Sequence, residues 1–223
     1  MYNEMLNMRS QKVRNLYKNL DNWLSNQNIN SLMRQSIKAE ELFRKVGITF
    51  NVYGEDEAEE RLIPFDLMPR IIDSKEWKLI EKGITQRLIA LNMFLEDIYS
   101  KQKIVKENII PSKLINDNAA FLPEMCDFKP PGGIYTHISG IDLVRTSEKN
   151  FFVLEDNLRV PSGASYMIEN RSTMMHMFPE LFTIYNVKPV FNYPDLLLKS
   201  LIKTSKSSSR KPNVAVLTPG VFN

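Results

Sequence analysis

Gly140-Ile141-Asp142-Leu143-Val144-Arg145 and Phe151-Phe152-Val153-Leu154-Glu155-Asp156-Asn157-Leu158-Arg159-Val160-Pro161-Ser162-Gly163 are two β-type runs separated by the polar Thr146-Ser147-Glu148-Lys149-Asn150. That composition and spacing predict a hairpin. A turn centred between Glu148 and Lys149 sets Asp142 opposite Glu155, Val144 opposite Val153, Leu143 opposite Leu154 and Ile141 opposite Asp156. Side chains alternate along a strand, so Asp142, Glu155 and Asn157 share one face. Ile141, Leu143, Phe152 and Leu154 share the other, which reads as the core face.

Like charges directly opposite across two strands repel, and Val144, Val153 and Phe151 make the acidic face too apolar for a simply solvated one. A divalent cation removes the conflict. Two carboxylates and an amide oxygen are hard donors of the kind Mg²⁺ takes when it also holds nucleotide phosphates and water. The plainer alternative is an amphipathic hairpin whose acids face water. Against it stands the next segment: Pro161-Ser162-Gly163 leads into a predicted helix from Ala164 to Phe178, whose N-terminus would aim backbone donors at the acids.

At these residues the chain resembles the ATP-grasp ligases, whose metal-binding hairpin carries Ile-Asp on one strand and Leu-Glu-x-Asn on the next, running into a small-residue loop. The wider pattern is similar to the circularly permuted ATP-grasp proteins, relatives of glutathionylspermidine-synthase-like ligases. It rests on Gly47-Ile48-Thr49-Phe50-Asn51-Val52-Tyr53-Gly54, Glu60-Arg61-Leu62-Ile63-Pro64-Phe65-Asp66, Pro69-Arg70-Ile71-Ile72, Gly133-Ile134-Tyr135 with His137, Glu155-Asp156-Asn157-Leu158-Arg159 and Leu217-Thr218-Pro219-Gly220. The resemblance runs from about Gly47 to Asn223. It implies that Asp142, Glu155 and Asn157 chelate Mg²⁺ bridging the phosphates of ATP, and that Arg159, just beyond the hairpin, assists the reaction.

The activity so implied is an ATP-dependent, Mg²⁺-assisted carboxylate–amine ligase, with small-molecule or peptide substrates activated as acyl phosphates. Many ATP-grasp enzymes carry a phosphate-contacting Arg two residues before the hairpin Asp, where this chain has Gly140. Arg145, Arg159 or a residue beyond Asn223 would then supply that charge. The resemblance also implies a nucleotide-gripping lobe with ATP-binding lysines after Asn223, so the chain reads as part of a longer protein. Two other readings stay open: metal-dependent hydrolysis by the same acids, and a non-catalytic module acting through a partner.

The composition is compatible with this. Among 223 residues, 43% are hydrophobic and 25% charged, the mix of a globular domain with a core to bury. No apolar run approaches the roughly 18–20 residues of a membrane span, and the polar start lacks a signal-peptide core, so a cytoplasmic location is expected. With 29 basic and 26 acidic residues the net charge of +3 gives no argument for nucleic acid. A single cysteine, Cys126, excludes an internal disulfide and a cysteine metal site. Acids flank it in Pro123-Glu124-Met125-Cys126-Asp127 and oppose a thiolate. Oligomeric state is not legible.

Taken in order, residues 1 to 46 read as a helical segment, with Met5, Met8, Val13, Leu16, Leu20, Trp23 and Leu24 at broadly helical spacing, a break at Ser25-Asn26-Gln27-Asn28 and a second helix from about Ser31. Residues 47 to 202 form the ATP-grasp-like, metal-binding lobe. It opens on a predicted strand, Ile48 to Tyr53, and a proline-shaped edge segment, Leu62 to Arg70. Ser74 is the expected N-cap of a helix to Ile80 that continues into a longer one from Thr85 to Tyr99, with Leu88, Leu91, Phe94, Leu95 and Ile98 as a buried stripe. A strand is expected over Ile134 to Val144 and another over Phe182 to Lys188. A short helix should span Leu196 to Lys203, and residues 203 to 213 are a polar linker or mobile loop. Val214-Ala215-Val216-Leu217 then reads as a buried strand that starts a further α/β domain, 214 to 223. The fold class is α+β or mixed α/β: an antiparallel sheet with helices, a helical N-terminal segment and the beginning of a second α/β lobe.

Three further candidates complete the site. Arg61 and Arg70 could clamp a carboxylate or phosphate bidentately, or simply pair with Glu59, Glu60 or Asp66. His137 falls by alternation on the face of Ile141 and Leu143, as a hydrogen-bonded core or rim histidine. Its position in the resembled pattern offers a phosphate or acyl-phosphate contact instead.

Overall fold

Asp73 opens the longest element of the chain. Its Oδ1 accepts the backbone N–H groups of Lys75 (2.8 Å) and Glu76 (2.7 Å), and Glu76 Oε2 accepts from the Asp73 N–H (3.4 Å). This reciprocal arrangement satisfies donors that a helix start otherwise leaves orphaned. The helix it caps, α3, runs without a break over Ser74–Ile98. One sequence expectation is corrected here: the cap is Asp73 rather than Ser74, while the expected continuation from Ile80 into the longer helix holds. Gly83 is absorbed because a single glycine costs a helix only about 1 kcal/mol, less than the cap and packing supply.

The computed structural model describes residues 2–51, 60–205 and 212–217. Within these the elements are α1 (Lys18–Ser25), α2 (Ile29–Val46), β1 (Thr49–Asn51), β2 (Glu60–Leu62), α3, α4 (Lys103–Lys106), α5 (Lys113–Asn116), β3 (Gly140–Arg145), β4 (Phe151–Asn157), α6 (Ala164–Met177), α7 (Pro179–Ile184) and α8 (Tyr193–Thr204). The fold is mixed, mainly helical, with two two-stranded sheets, β1-β2 and β3-β4. β1 and β2 pair antiparallel, Thr49 with Leu62 and Asn51 with Glu60.

Several expected elements differ, each for a local reason. Residues 2–14 are not helical, because the Asn3 side chain captures the N–H groups of Met5 and Leu6, and Asn7 those of Arg9 and Ser10. Phe182 to Lys188 is not a strand: Pro179 at the first helical position and Glu180 in the first turn start α7 instead. The strand expected from Ile134 begins only at Gly140, since the Asn92 side chain occupies the N–H groups of Tyr135 (2.7 Å) and Thr136 (3.2 Å). Residues 214–217 form no strand, and Leu217 is 97% exposed. A strand needs a neighbour for its backbone groups, and among the described residues none pairs with them. Most of the expected 203–213 loop, residues 206–211, lies outside the described residues.

The chain divides into two compact units, each drawn from separate stretches. In unit 1 (Met1–Trp77, Leu143–Leu154, Ser162–Phe191) the core holds Tyr17, Leu20, Trp23, Ala39, Leu67, Met174, Phe178 and Leu181. Trp23 and Phe178 meet edge to face at 5.1 Å, and Tyr185 Oη accepts the Leu20 N–H (3.0 Å) while donating to Leu16 O (3.1 Å).

Unit 1 also buries a cation. The Arg145 side chain is 1% exposed and bonds both Glu76 oxygens, Glu4 Oε2 (3.4 Å) and the carbonyls of Ser147 (3.1 Å) and Glu148 (2.6 Å). Arg14 adds a second guanidinium to Glu76 at 2.9 Å. Burial alone would raise the Glu76 carboxyl, but the hydrogen bonds from Arg145 and Arg14 outweigh it and hold the group below the ordinary glutamate value of 4.5. A carboxylate depressed in the folded state contributes stability that is complete above its unfolded value and is lost as pH falls through the folded one. Stability of the wild type therefore falls as pH drops below about 4.5, and denaturant titrations across pH 3–6 should show a shallower acid dependence in Glu76→Gln.

In unit 2 (Lys78–Asp142, Glu155–Pro161, Asn192–Asn223) the core gathers Ile98, Tyr99 and Ile115, with Tyr99 stacked on Phe121 at 5.1 Å and on Tyr135 at 6.1 Å. Gly140 is confined there: a Cβ added to it would lie 3.1 Å from Pro161 Cβ and 3.6 Å from Asn157 Cβ. A Gly140→Val variant should lose about 1–3 kcal/mol of unfolding free energy through overpacking, readable as a lower denaturant midpoint with unchanged slope.

Candidate functional site

The hairpin forms, but its register departs from the symmetric one. Thr146 N–H donates to Asn150 O at 3.1 Å, so the turn centres on Glu148, and Arg145 lies over the Phe151 ring at 4.9 Å. At the other end Gly140 lies beside Asn157. From Arg145 back to Gly140 is five steps, whereas from Phe151 on to Asn157 is six, in strands of six and seven residues. β4 therefore carries one extra residue, a β-bulge.

Exposure locates it. Along β4, Phe151 and Val153 are half-buried and Phe152 is exposed, but Leu154 and Glu155 are exposed in succession. Beyond them Asp156 and Asn157 are both half-buried, the Asp156 side chain 18% exposed. The expected core face is corrected accordingly: Ile141 and Leu143 are half-buried, but Phe152 and Leu154 stand 58% and 72% exposed. A one-residue slip exchanges the faces of a strand, and the bulge exchanges them back. The result is that Glu155 and Asn157 return to the side of Asp142 in the register read from the sequence, and the departure is confined to the turn end of the hairpin.

Asp142 and Glu155 are both exposed, and neither has an ion-pair or hydrogen-bond partner among the described residues. Asn157 closes β4, half-buried. Among the described residues no group of three or more His, Cys, Asp or Glu is placed to hold a metal ion. The donor set here is instead two carboxylates, unpaired among the described residues, and one amide on one strand face. Such a set fits a hard, oxygen-seeking divalent cation that keeps water or phosphate in its remaining positions.

The other candidates are dispersed. Arg159 is exposed just past β4. Arg145 is the buried cation described above, its fork taken up by Glu76, Glu4 and two turn carbonyls. Arg70 is exposed and pairs with Glu4. Arg61 sits in β2 opposite Phe50, and its side chain lies outside the described residues. His137 is not on a strand: it is exposed in a bend before β3, because the Asn92 contacts hold Tyr135 and Thr136 out of the ladder. The core-histidine reading is thereby corrected.

Sequence reasoning missed the ion pair between Arg87 of α3 and Asp156, in which Nε meets Oδ1 at 2.7 Å and Nη2 meets Oδ2 at 2.5 Å. The Arg87 hydrogen bond holds the Asp156 carboxyl below its ordinary value. Sixty-nine residues separate the partners, so no local pattern announces them.

Comparison with known proteins decides the family: residues 69–223 match the family described as "A circularly permuted ATPgrasp". The chain belongs to the circularly permuted ATP-grasp family. Its similarity to an uncharacterised protein of Synechocystis is 47% identity over 178 residues, 80% of this chain and 37% of that protein. An uncharacterised protein of Mycobacterium leprae is 40% identical over 222 residues, 100% of this chain and 39% of the relative. A Frankia casuarinae protein named "Putative glutamate--cysteine ligase 2-2" is 38% identical over 175 residues, 78% of this chain and 20% of that protein. This circularly permuted ATP-grasp chain thus spans less than two fifths of the length of the first two relatives. Among its described residues no helix is long and apolar enough to cross a membrane.

Proposed function

We propose that the intact protein is an ATP-dependent ligase joining a carboxylate to an amine, and that the β3-β4 hairpin of this chain is its metal- and phosphate-holding edge. The observation that carries this reading is the pair of carboxylates, Asp142 and Glu155, that have no partner among the described residues and share one face with Asn157 in a chain of this family. Asp142, Glu155 and Asn157 would hold Mg²⁺. When bound, the metal neutralises charge that builds on ATP phosphates during transfer to a carboxylate.

The residues of the chain supply the rest. Two like charges on one strand face hold each other in an unfavourable state until a cation arrives, which favours a liganded site over an empty one. The exposed Arg159, immediately after β4, can meet phosphate oxygens with two parallel N–H donors. Arg145 braces the turn of the hairpin rather than meeting solvent in this structure. Roles for Arg61, Arg70 and His137 toward nucleotide remain part of the proposal, carried by the positions they share with the family pattern.

The substrates are small molecules or peptides bearing a carboxylate and an amine. The name of the Frankia relative makes glutamate and cysteine the first pair to test. ADP release that requires carboxylate, amine and Mg²⁺ together is the expected result. Metal-dependent bond cleavage without nucleotide would replace this reading with hydrolysis.

A further inference from the structure

Asp156 stands between two residues assigned to metal binding, Glu155 and Asn157, and points to the opposite side of β4. It is held there by a fork-to-carboxylate contact from Arg87, with two parallel bonds of 2.7 Å and 2.5 Å. Two such bonds fix the plane of the carboxylate as well as its distance. Five residues further along α3, or about 7.5 Å of helix rise, Asn92 accepts the N–H groups of Tyr135 and Thr136 and donates to Thr136 Oγ1 at 3.0 Å. That segment leads directly into β3. A single 25-residue helix therefore holds both the strand that carries Glu155, through Arg87, and the segment that feeds the strand carrying Asp142, through Asn92.

We propose that Arg87 and Asp156 are a positioning pair for the metal-ligand strand, holding the bulged end of β4 to α3 so that Glu155 and Asn157 face Asp142. A strand with an extra residue is less constrained in register than a regular one, and its phase after Leu154 must be set by something outside the ladder. The Arg87 contact acts one residue from the bulge. Its contribution to folding is small, because the Arg87 side chain is 43% exposed and exposed ion pairs contribute little. Its effect falls on the geometry of the ligands, as with partners placed behind the ligands of other metal sites. This inference rests on the proposed metal site, and its test is designed to separate the two.

The experiment titrates Mg-ATP calorimetrically into the intact protein and records melting temperature with and without Mg²⁺. Arg87→Ala and Asp156→Asn should each weaken Mg-ATP binding about tenfold, the low end for such partners. Melting temperature without metal should move by no more than about 2–4 °C. Arg87→Lys keeps the charge but loses the fork, and should recover less than half of the lost affinity. The exchange Arg87→Asp with Asp156→Arg should restore binding to within about threefold of wild type, given usual context factors. Unchanged affinity in Arg87→Ala and Asp156→Asn, beside lost affinity in Glu155→Gln, discards the positioning pair and leaves the metal site standing. Unchanged affinity in all three discards both. An exchange variant that melts like wild type but binds no better than the single variants also overturns the pair.

Discussion

Glu155→Gln is expected to abolish Mg²⁺-dependent ATP binding by the intact protein while shifting its melting temperature by no more than about 2–4 °C. The variant removes one charge from a face where Asp142 and Glu155 have no cationic partner among the described residues, so the metal-free fold loses a repulsion rather than an attraction. Binding suffers for the same reason. Removing a ligand should cost at least as much as removing a partner behind one, about 10–100-fold in affinity. Asn157→Ala deletes a neutral donor and should cost less. Isothermal titration of Mg-ATP checks the series: wild-type affinity in Glu155→Gln discards the metal assignment, and collapse of the fold would mark Glu155 as a structural ion-pair residue instead.

Glu76→Gln should do the reverse, destabilising the protein without changing Asp142 or Glu155. Arg145 is 1% exposed, and Glu76 supplies both oxygens of its nearest carboxylate while also receiving Arg14 at 2.9 Å. Neutralising Glu76 leaves two guanidinium groups facing one another with less compensating charge, and breaking a buried pair from one side costs about 3–5 kcal/mol. Glu4 limits the loss, since its carboxylate stands 3.4 Å from Arg145. Denaturant unfolding at pH 7 measures this directly, and a loss under about 1 kcal/mol would show that Glu4 and the turn carbonyls suffice alone. Arg145→Met with Glu76→Leu should be milder than Glu76→Gln, because the buried guanidinium leaves with its carboxylate and Arg14 keeps the Glu4 carbonyl at 2.8 Å and Glu148 at 3.8 Å.

These two expectations concern Glu155 of the hairpin and the α3 carboxylate that holds Arg145 of the same hairpin, yet they were not equally visible in the sequence. Asp142, Glu155 and Asn157 stood out because alternation is a local rule that a reader can apply without knowing the partners of the strand. Arg145 was legible only as a cation near the site. Its burial depends on Glu76 and Glu4, 69 and 141 residues away. The helix start at Ser74 was read nearly correctly, since capping needs only adjacent residues, although Asp73 rather than Ser74 makes the bonds. The strand predicted at Val214 to Leu217 did not form, because strand propensity states a preference that only a neighbouring strand can satisfy.

By itself the sequence determined the elements whose signals are complete within a few residues: the long helix, in which Ile98 is buried and Leu88, Leu91, Phe94 and Leu95 half-buried, the hairpin and its polar turn, the helix after Gly163, and the acids of the candidate site. The tertiary structure alone decided which faces those elements bury. Phe152 and Leu154 were assigned to the core by a symmetric turn, but the turn closes at Thr146 and Asn150, and the extra residue near Leu154 restores the acidic face. The physical reason is that a period of two specifies alternation but not phase. Phase is set by contacts from elsewhere in the chain, here the Arg145 guanidinium on Phe151 at one end of β4 and Arg87 on Asp156 at the other.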